Sequence, residues 1–305
     1  MINGIVNVYK EKGYTSHDVV ARLRGILKQK KIGHTGTLDP DAEGVLPVCL
    51  GRATKLCDML TDKDKVYEAV MLLGKVTDTQ DITGKVLEER PVMSDECEVL
   101  EAISGFVGEY DQIPPMYSAL KVNGKKLYEL ARAGIEIERK SRQVIIKSIN
   151  VNEIDFSEEE KTVTFTVECS KGTYIRTLCQ DIGEKLGCGA CMKSLRRTRV
   201  GMFEISESLT LAQIESMVQE GSFMDKVVPV DGMFPGYKKI TVCSEFNKLL
   251  YNGNAFSINH IVANDDEFLD LEKVMVYDTD GSFIGIYVLE GDIFKLVKMF
   301  YDSEL

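Results

Sequence analysis

The chain has 305 residues, 44% of them hydrophobic and 28% charged, with a formal net charge of −11. That is enough for one large core and a small second one, and no apolar run is long enough to cross a bilayer. The acidic balance, with a sequence pI of about 5.0, taken alone argues against a nucleic-acid partner, because phosphate contacts require Lys and Arg.

In chain order, residues 2–9 alternate as a strand. Ser16 is a plausible N-cap for a helix reaching about Lys28, with Val19, Val20, Leu23, Ile26 and Leu27 at helical spacing. Residues 44–50 form a short buried strand containing a proline, and a helix from about Ala53 to Leu60 follows. Residues 65–74 are a strong strand candidate, and 95–106 a helix with Val99, Leu100, Ile103 and Phe106 on one face. Pro114-Pro115 keeps 110–118 extended or turning. Strands are expected at 142–151, 161–170 and 198–205, with helices at about Thr173–Leu186 and 210–220. A Pro- and Gly-marked linker, 227–236, leads to strand signals at 239–243, 273–277, 283–289 and 293–299. Without a regular βαβ rhythm the pattern predicts an α+β fold, divided into 1–235 and a small β domain at 236–305. The N-terminus lacks the basic start and apolar stretch of a signal peptide, so a cytoplasmic location is expected. Eight scattered cysteines suit reduced thiols better than a disulfide framework.

Local charge qualifies the net value. Lys28, Lys30 and Lys31 form one basic run, Lys121, Lys125, Lys126 and Arg132 a second, and Lys193, Arg196, Arg197 and Arg199 a third. Acidic residues gather at 94–101, 153–160 and 265–272. Each run by itself reads as a solvated face. Three basic runs beside candidate chemical segments point instead to an RNA-facing side.

The densest such segment is His34-Thr-Gly-Thr-Leu-Asp39-Pro-Asp-Ala-Glu-Gly44. Three carboxylates, Asp39, Asp41 and Glu43, sit within a Gly- and Pro-rich loop between regular elements, where catalysis is often carried. One could serve as nucleophile or base; a turn held by Asx hydrogen bonds is the plainer reading. Cys188-Gly-Ala-Cys191 could be half a zinc site, but no second ligand pair stands at suitable spacing, so no metal is expected.

Several segments together resemble the bacterial tRNA pseudouridine-55 synthases, the TruB family. Besides the Asp39 segment they are Lys10-Glu-Lys-Gly-Tyr-Thr-Ser16, with Glu11 where the family has Pro, Lys65-Val-Tyr67-Glu-Ala, and Thr79-Gln-Asp81-Ile-Thr-Gly84. The others are Pro114-Pro-Met-Tyr-Ser-Ala-Leu-Lys121-Val-Asn-Gly, Gly172-Thr-Tyr-Ile-Arg176 and Leu195-Arg-Arg-Thr-Arg-Val-Gly201. The resemblance runs from about residue 3 to 205. It implies a pseudouridine synthase fold: a mixed, mainly antiparallel central sheet flanked by helices, followed by a small PUA-like RNA-binding domain. It also implies isomerisation of one uridine in the tRNA T-arm by base flipping, without a cofactor. Asp39 would be the essential carboxylate, Arg176 its partner, and Tyr67 the ring against the target base. His34, Lys10, Asp81, Leu195 and Tyr174 would bind substrate. A monomer with no membrane attachment and no obligatory protein partner is expected. An RNA chaperone without chemistry is the second class, opposed by intact Asp39, Tyr67 and Arg176. A glycoside hydrolase is the third, and it would need a second catalytic acid. A relative working inside a guide-RNA particle would carry a longer N-terminal extension and a larger C-terminal domain.

Overall fold

The computed structural model describes residues 1–122, 124–157, 159–262 and 267–301. Asn123 of the matched block, Glu158 in the acidic run 153–160 and the start of the run 265–272 lie outside the described residues, as do 302–305.

The chain opens with β1 (Gly4–Lys10) and α1 (Ser16–Leu27). Thr15, one residue earlier than expected, caps α1: its hydroxyl accepts from the Asp18 amide, and the Asp18 side chain returns the bond in a capping box. Ser16 is thereby freed to turn inward. β2 (Ile32–His34) and β3 (Glu43–Leu50) flank the Asp39 loop, and a 3₁₀ turn (Gly51–Leu56) runs into the short α2 (Cys57–Thr61). β4 (Lys65–Leu73) is followed by the small hairpin β5 (Lys75–Thr77) and β6 (Val86–Glu89), then α3 (Glu96–Ser104) and β7 (Gly108–Gln112). A second small hairpin, β8 (Lys121–Val122) and β9 (Lys125–Lys126), leads into α4 (Leu127–Arg132). Then come β10 (Arg142–Asp155), β11 (Thr162–Cys169), α5 (Ile175–Lys185), β12 (Ala190–Val200), β13 (Phe203–Glu204) and α6 (Leu211–Glu220). β12 begins eight residues before the strand expected at 198–205, because its Lys and Arg residues mask the alternation of Leu195, Arg197 and their neighbours.

β1, β3, β12, β4, β11, β10 and β7 lie side by side in that order, with β2 and β13 attached, as a nine-stranded sheet. Every pairing is antiparallel except a short parallel contact of β12 with β3, Arg196 opposite Glu43 and Arg197 opposite Gly44. One face of its centre packs under α3 and α5, with Met71, Phe165, Val167, Leu178 and Ile182 fully buried. The faces of β1 and β3 are covered by α1 and α6 on one side. The remaining strands are β14 (Lys238–Thr241), β15 (Phe256–Ser257), β16 (Lys273–Tyr277), β17 (Phe283–Glu290) and β18 (Ile293–Met299). They form a second, five-stranded sheet, with α7 (Asn247–Tyr251) beside it. It encloses its own core of Val274, Tyr287 and Phe294. A shared cluster joins it to the large sheet: Ile5, Val45 and Phe203 meet Phe234, Met275, Ile286 and Phe300. The α+β expectation holds, with a mixed, mainly antiparallel central sheet and a C-terminal β region. Among the described residues no helix is long and apolar enough to cross a membrane.

Candidate active site

Tyr67, Ala69 and Met71 on β4 point to one face of the sheet, and pairing puts Leu195 opposite Ala69 and Arg197 opposite Tyr67 on that same face. The Asp39 loop and the N-terminus of α5 close over it.

Hydrogen bonds of five residues, Lys10, Gly13, Ser16, Thr35 and Arg197, hold the loop. Lys10, wholly buried, spends its ammonium on three main-chain oxygens: Ala42 at 2.5 Å, Pro40 at 3.0 Å and Glu11 at 3.3 Å. The Gly13 amide reaches the Pro40 carbonyl at 2.9 Å. Ser16 Oγ accepts from the Leu38 amide at 3.0 Å, and Thr35 Oγ1 donates to the Pro47 carbonyl at 3.2 Å. From below, Arg197 Nε donates to the Val45 carbonyl at 2.7 Å and Nη2 to the Gly36 carbonyl at 3.3 Å. Gly44 completes the fit. Its φ of +106° suits glycine alone, and a Cβ there would lie 2.2 Å from the Arg197 carbonyl oxygen.

Asp39 emerges from this clamp with 40% of its side chain exposed, while its partner Arg176 is only 6% exposed. Arg176 Nε lies 3.0 Å from Asp39 Oδ2, and Nη2 lies 3.4 Å from Oδ1, so the guanidinium edge takes the carboxylate with both arms. The fork is itself fixed. Nη2 donates to the Tyr117 carbonyl at 2.8 Å, and Nη1 to the Thr79 carbonyl at 3.0 Å and to Asp81 Oδ2 at 3.4 Å. Loss of hydration pushes the Asp39 carboxyl above its ordinary range. Arg176 and Lys10 pull it back, against Asp81 and Asp41. The geometry therefore offers one carboxylate, ion-paired and open on one side, above a face bearing an aromatic ring and a leucine.

Every predicted site residue lies on or behind this face, in differing roles. Tyr67 packs against the central core, and burial raises its phenol while Arg197 lowers it. Leu195 is buried in the same cluster. Tyr174 immediately precedes α5. The Gln112 amide grips its backbone at both ends, Nε2 donating to its carbonyl at 2.9 Å and Oε1 accepting from its amide at 2.7 Å. That grip sets where Arg176, two residues on, projects. His34 stands at the loop's start, edge-on to His17 with ring centroids 5.3 Å apart. Burial, then His17 and Arg197, hold its pKa below the usual histidine value.

Two expectations change. Lys10 is wholly enclosed and its three donors are used within the protein, so in this structure it holds the loop. Burial lowers its pKa to about 8. Asp81 serves its own turn and Arg176: Oδ1 accepts from Thr79 Oγ1 at 2.9 Å, Thr83 Oγ1 at 2.6 Å and the Thr83 amide at 3.0 Å. The third basic run is likewise not free for RNA. Lys193 pairs with Glu160 at 2.8 Å, Arg196 with Glu68 at 2.7 Å, Arg199 with Glu168 at 2.9 Å, and Arg197 is buried. The first two runs are largely surface-exposed. Sequence reasoning passed over Gln112 and took Ser16 as a helix cap; only their tertiary partners mark their roles here.

The cysteines fit the expectation of reduced thiols. All eight are free, and burial pushes the thiols of Cys188 and Cys191 upward, to about 11 for Cys191. A reactive redox thiol needs the reverse shift. Among the described residues no cluster of three or more His, Cys, Asp or Glu could hold a metal ion.

Comparison with known proteins gives the following. Residues 24–175 match the N-terminal domain of the TruB family of pseudouridylate synthases, and residues 176–234 match a C-terminal domain of tRNA pseudouridylate synthase B. A tRNA pseudouridine synthase B of Lachnoclostridium phytofermentans is 55% identical, covering 98% of this chain and 100% of that protein. Its counterpart in Clostridium acetobutylicum is 46% identical over 98% of this chain and 99% of its own. Among solved structures, a Cbf5-Nop10-Gar1 complex contains a chain matching 99% of this one, and 86% of itself, at 27% identity and a TM-score of 0.71. An H/ACA RNP bound to a substrate RNA containing 2'-deoxyuridine does so with the same coverage, at 25% identity and a TM-score of 0.70.

Proposed function

The chain belongs to the TruB family of pseudouridylate synthases, and from that premise we propose that it isomerises the uridine at position 55 in the T-arm of tRNA, with Asp39 as the reactive carboxylate and no cofactor. Membership makes it an isomerase that converts uridine in tRNA to pseudouridine. The observation that carries the assignment to Asp39 is the two-armed Arg176 contact on a carboxylate otherwise open to the cleft.

The reaction breaks the bond between uracil N1 and ribose C1′, turns the base, and joins C5 to C1′. The hydrogen on C5 leaves, and N1 ends with a proton, so atoms and electrons balance within the substrate. Asp39 starts the sequence as nucleophile or base. Arg176 holds it ionised in a site whose dryness opposes the charge. The uracil is flipped out of the RNA and lies against the Tyr67 ring with Leu195 beside it, since an extruded base is held between aromatic and apolar surfaces. The Tyr67 oxygen then assists removal of the C5 proton. His34, held neutral by its surroundings, fills the stacking place the base leaves. Lys28, Lys30 and Lys31 and the run Lys121 to Arg132 meet the phosphates. Residues 1–235 are the catalytic domain and 236–305 a PUA-like RNA-binding domain. The protein works in the cytoplasm as a monomer. The full-length match with relatives named tRNA pseudouridine synthase B supports a tRNA enzyme over a subunit of a guide-RNA particle.

The test uses unmodified tRNA carrying tritium at uridine C5. Release is expected from a single uridine, in the presence of a metal chelator, and is lost when position 55 is cytidine. Continued release from the cytidine variant would place the target elsewhere, and a metal requirement would refute cofactor-free chemistry. Binding of the same tRNA should weaken as salt rises.

A further inference from the structure

Arg197 lies beneath the site with 2% of its surface exposed. A guanidinium withdrawn from water is costly unless it is well used. Two of its bonds run to carbonyls on opposite flanks of the Asp39 loop, Gly36 and Val45. Its strand position is directly opposite Tyr67, so the two side chains leave the sheet together on the face where the base would lie. Among the described residues no carboxylate forms an ion pair with it, whereas Arg196 and Arg199 on either side have one each. Nothing in the reaction as described above uses it.

We propose that Arg197 is a positioning residue for the isomerisation: it ties both flanks of the Asp39 loop to the strand of Tyr67 and places an uncompensated positive charge beside the Tyr67 hydroxyl. The loop thus keeps its distance from the ring, and the field favours negative charge on the oxygen that handles the C5 proton. Burial of Tyr67 works the other way. The groups acting on that hydroxyl are Arg197 on β12, Cys169 on β11 and Asp39 on the loop; of these only Arg197 lowers its pKa. The same charge also bears on Lys10, Lys65 and His34, lowering each. This inference rests on the reading of Tyr67 given above.

Arg197→Gln removes both the cation and the fork. The single-turnover rate on tRNA should fall at least about tenfold, the lower end of what loss of a fixed donor costs, with tRNA affinity unchanged within about twofold. The rising limb of the pH–rate profile, where the Tyr67 oxygen becomes able to take the C5 proton, should move to higher pH. So should the titration of Tyr67, followed by NMR on protein with carbon-labelled tyrosine. An undiminished rate overturns the proposal, as does a slower rate with both titrations unmoved, which would mark a purely structural brace. Should the variant not fold, the unaltered protein still decides. Its Arg197 Nε proton should exchange slowly and show a cross-peak to the Tyr67 ring, and fast exchange overturns the idea. Tyr67→Phe tests the underlying reading separately: if it remains active, Tyr67 has no part in the chemistry, whatever Arg197 does to its titration.

Discussion

The large sheet and the small one each bury an apolar core but put charge inside differently. Behind the large sheet lie four buried cations, Lys10, Lys65, Arg176 and Arg197. Each donates to main-chain carbonyls, and all except Lys65 reach segments distant in sequence. In the small sheet the buried charge is Asp278: two of its partners are near, the amides of Asp280 at 3.0 Å and Ser282 at 2.8 Å, and the third, the Tyr251 hydroxyl at 3.0 Å, ties that turn to α7. One arrangement fixes loops against each other, which is what a reacting centre needs. The other finishes a single turn. The cations that reach across the chain converge on the Asp39 loop and its neighbours, whereas Asp278 mainly closes the turn to Ser282.

Four experiments would break or sharpen this contrast. The largest effect is expected from Asp39→Asn, which should lower pseudouridine formation by roughly three orders of magnitude or more, the scale for an essential reacting group. Because burial raises the Asp39 carboxyl, removing its charge should leave thermal stability unchanged or higher, measured by melting at neutral pH. Next, Asp81→Asn loosens Arg176 without touching Asp39. A loss of about a hundredfold in single-turnover rate is expected, as for a reacting group slightly misplaced, with tRNA affinity retained. Full activity there would show that Tyr117 and Thr79 suffice to hold the fork. Third, Asp278→Ala should destabilise the protein by about 1–3 kcal/mol, the cost of leaving buried donors unpaired, while the rate on tRNA stays at the wild-type value. A rate loss matching that of Asp81→Asn would erase the distinction between the two regions.

The smallest effect is in pH dependence. Burial depresses Lys10 from 10.5 to about 8 in the folded protein. Between those values the unfolded chain binds the proton more readily than the folded one, so Lys10 contributes a stability that increases with pH across that window. Below about 8 both states are protonated and the contribution levels off at its least favourable value. Lys10→Met should flatten that part of the curve, read by denaturant unfolding at several pH values. An unchanged slope would mean that the amine is less enclosed than its three carbonyl contacts indicate.

Much of this was legible in the sequence. The strands at 65–73 and 162–169 follow from alternation, and the Asp39 and Arg176 segments were singled out together before any geometry was known. What stayed hidden shares one physical cause. Arg197 read as part of a basic run facing RNA because residue type says nothing of which side of a strand faces inward; only the pairing with Tyr67 and Gly44 decides it. Lys10 read as a substrate contact because its carbonyl partners belong to a loop thirty residues on. Ser16 read as a helix cap because Thr15 beside it has the same chemistry, and the choice turns on a contact to Leu38.

The long reach of those contacts also sets a timetable. Asp39 is made 137 residues before Arg176, and Gly36 161 residues before Arg197. At translation rates of about 5–20 residues per second, roughly 7–30 s separate the Asp39 carboxylate from the arginine that pairs with it. A nascent chain therefore carries Asp39 as an ordinary loop residue for most of its synthesis, and becomes competent toward RNA only when β12 closes the sheet.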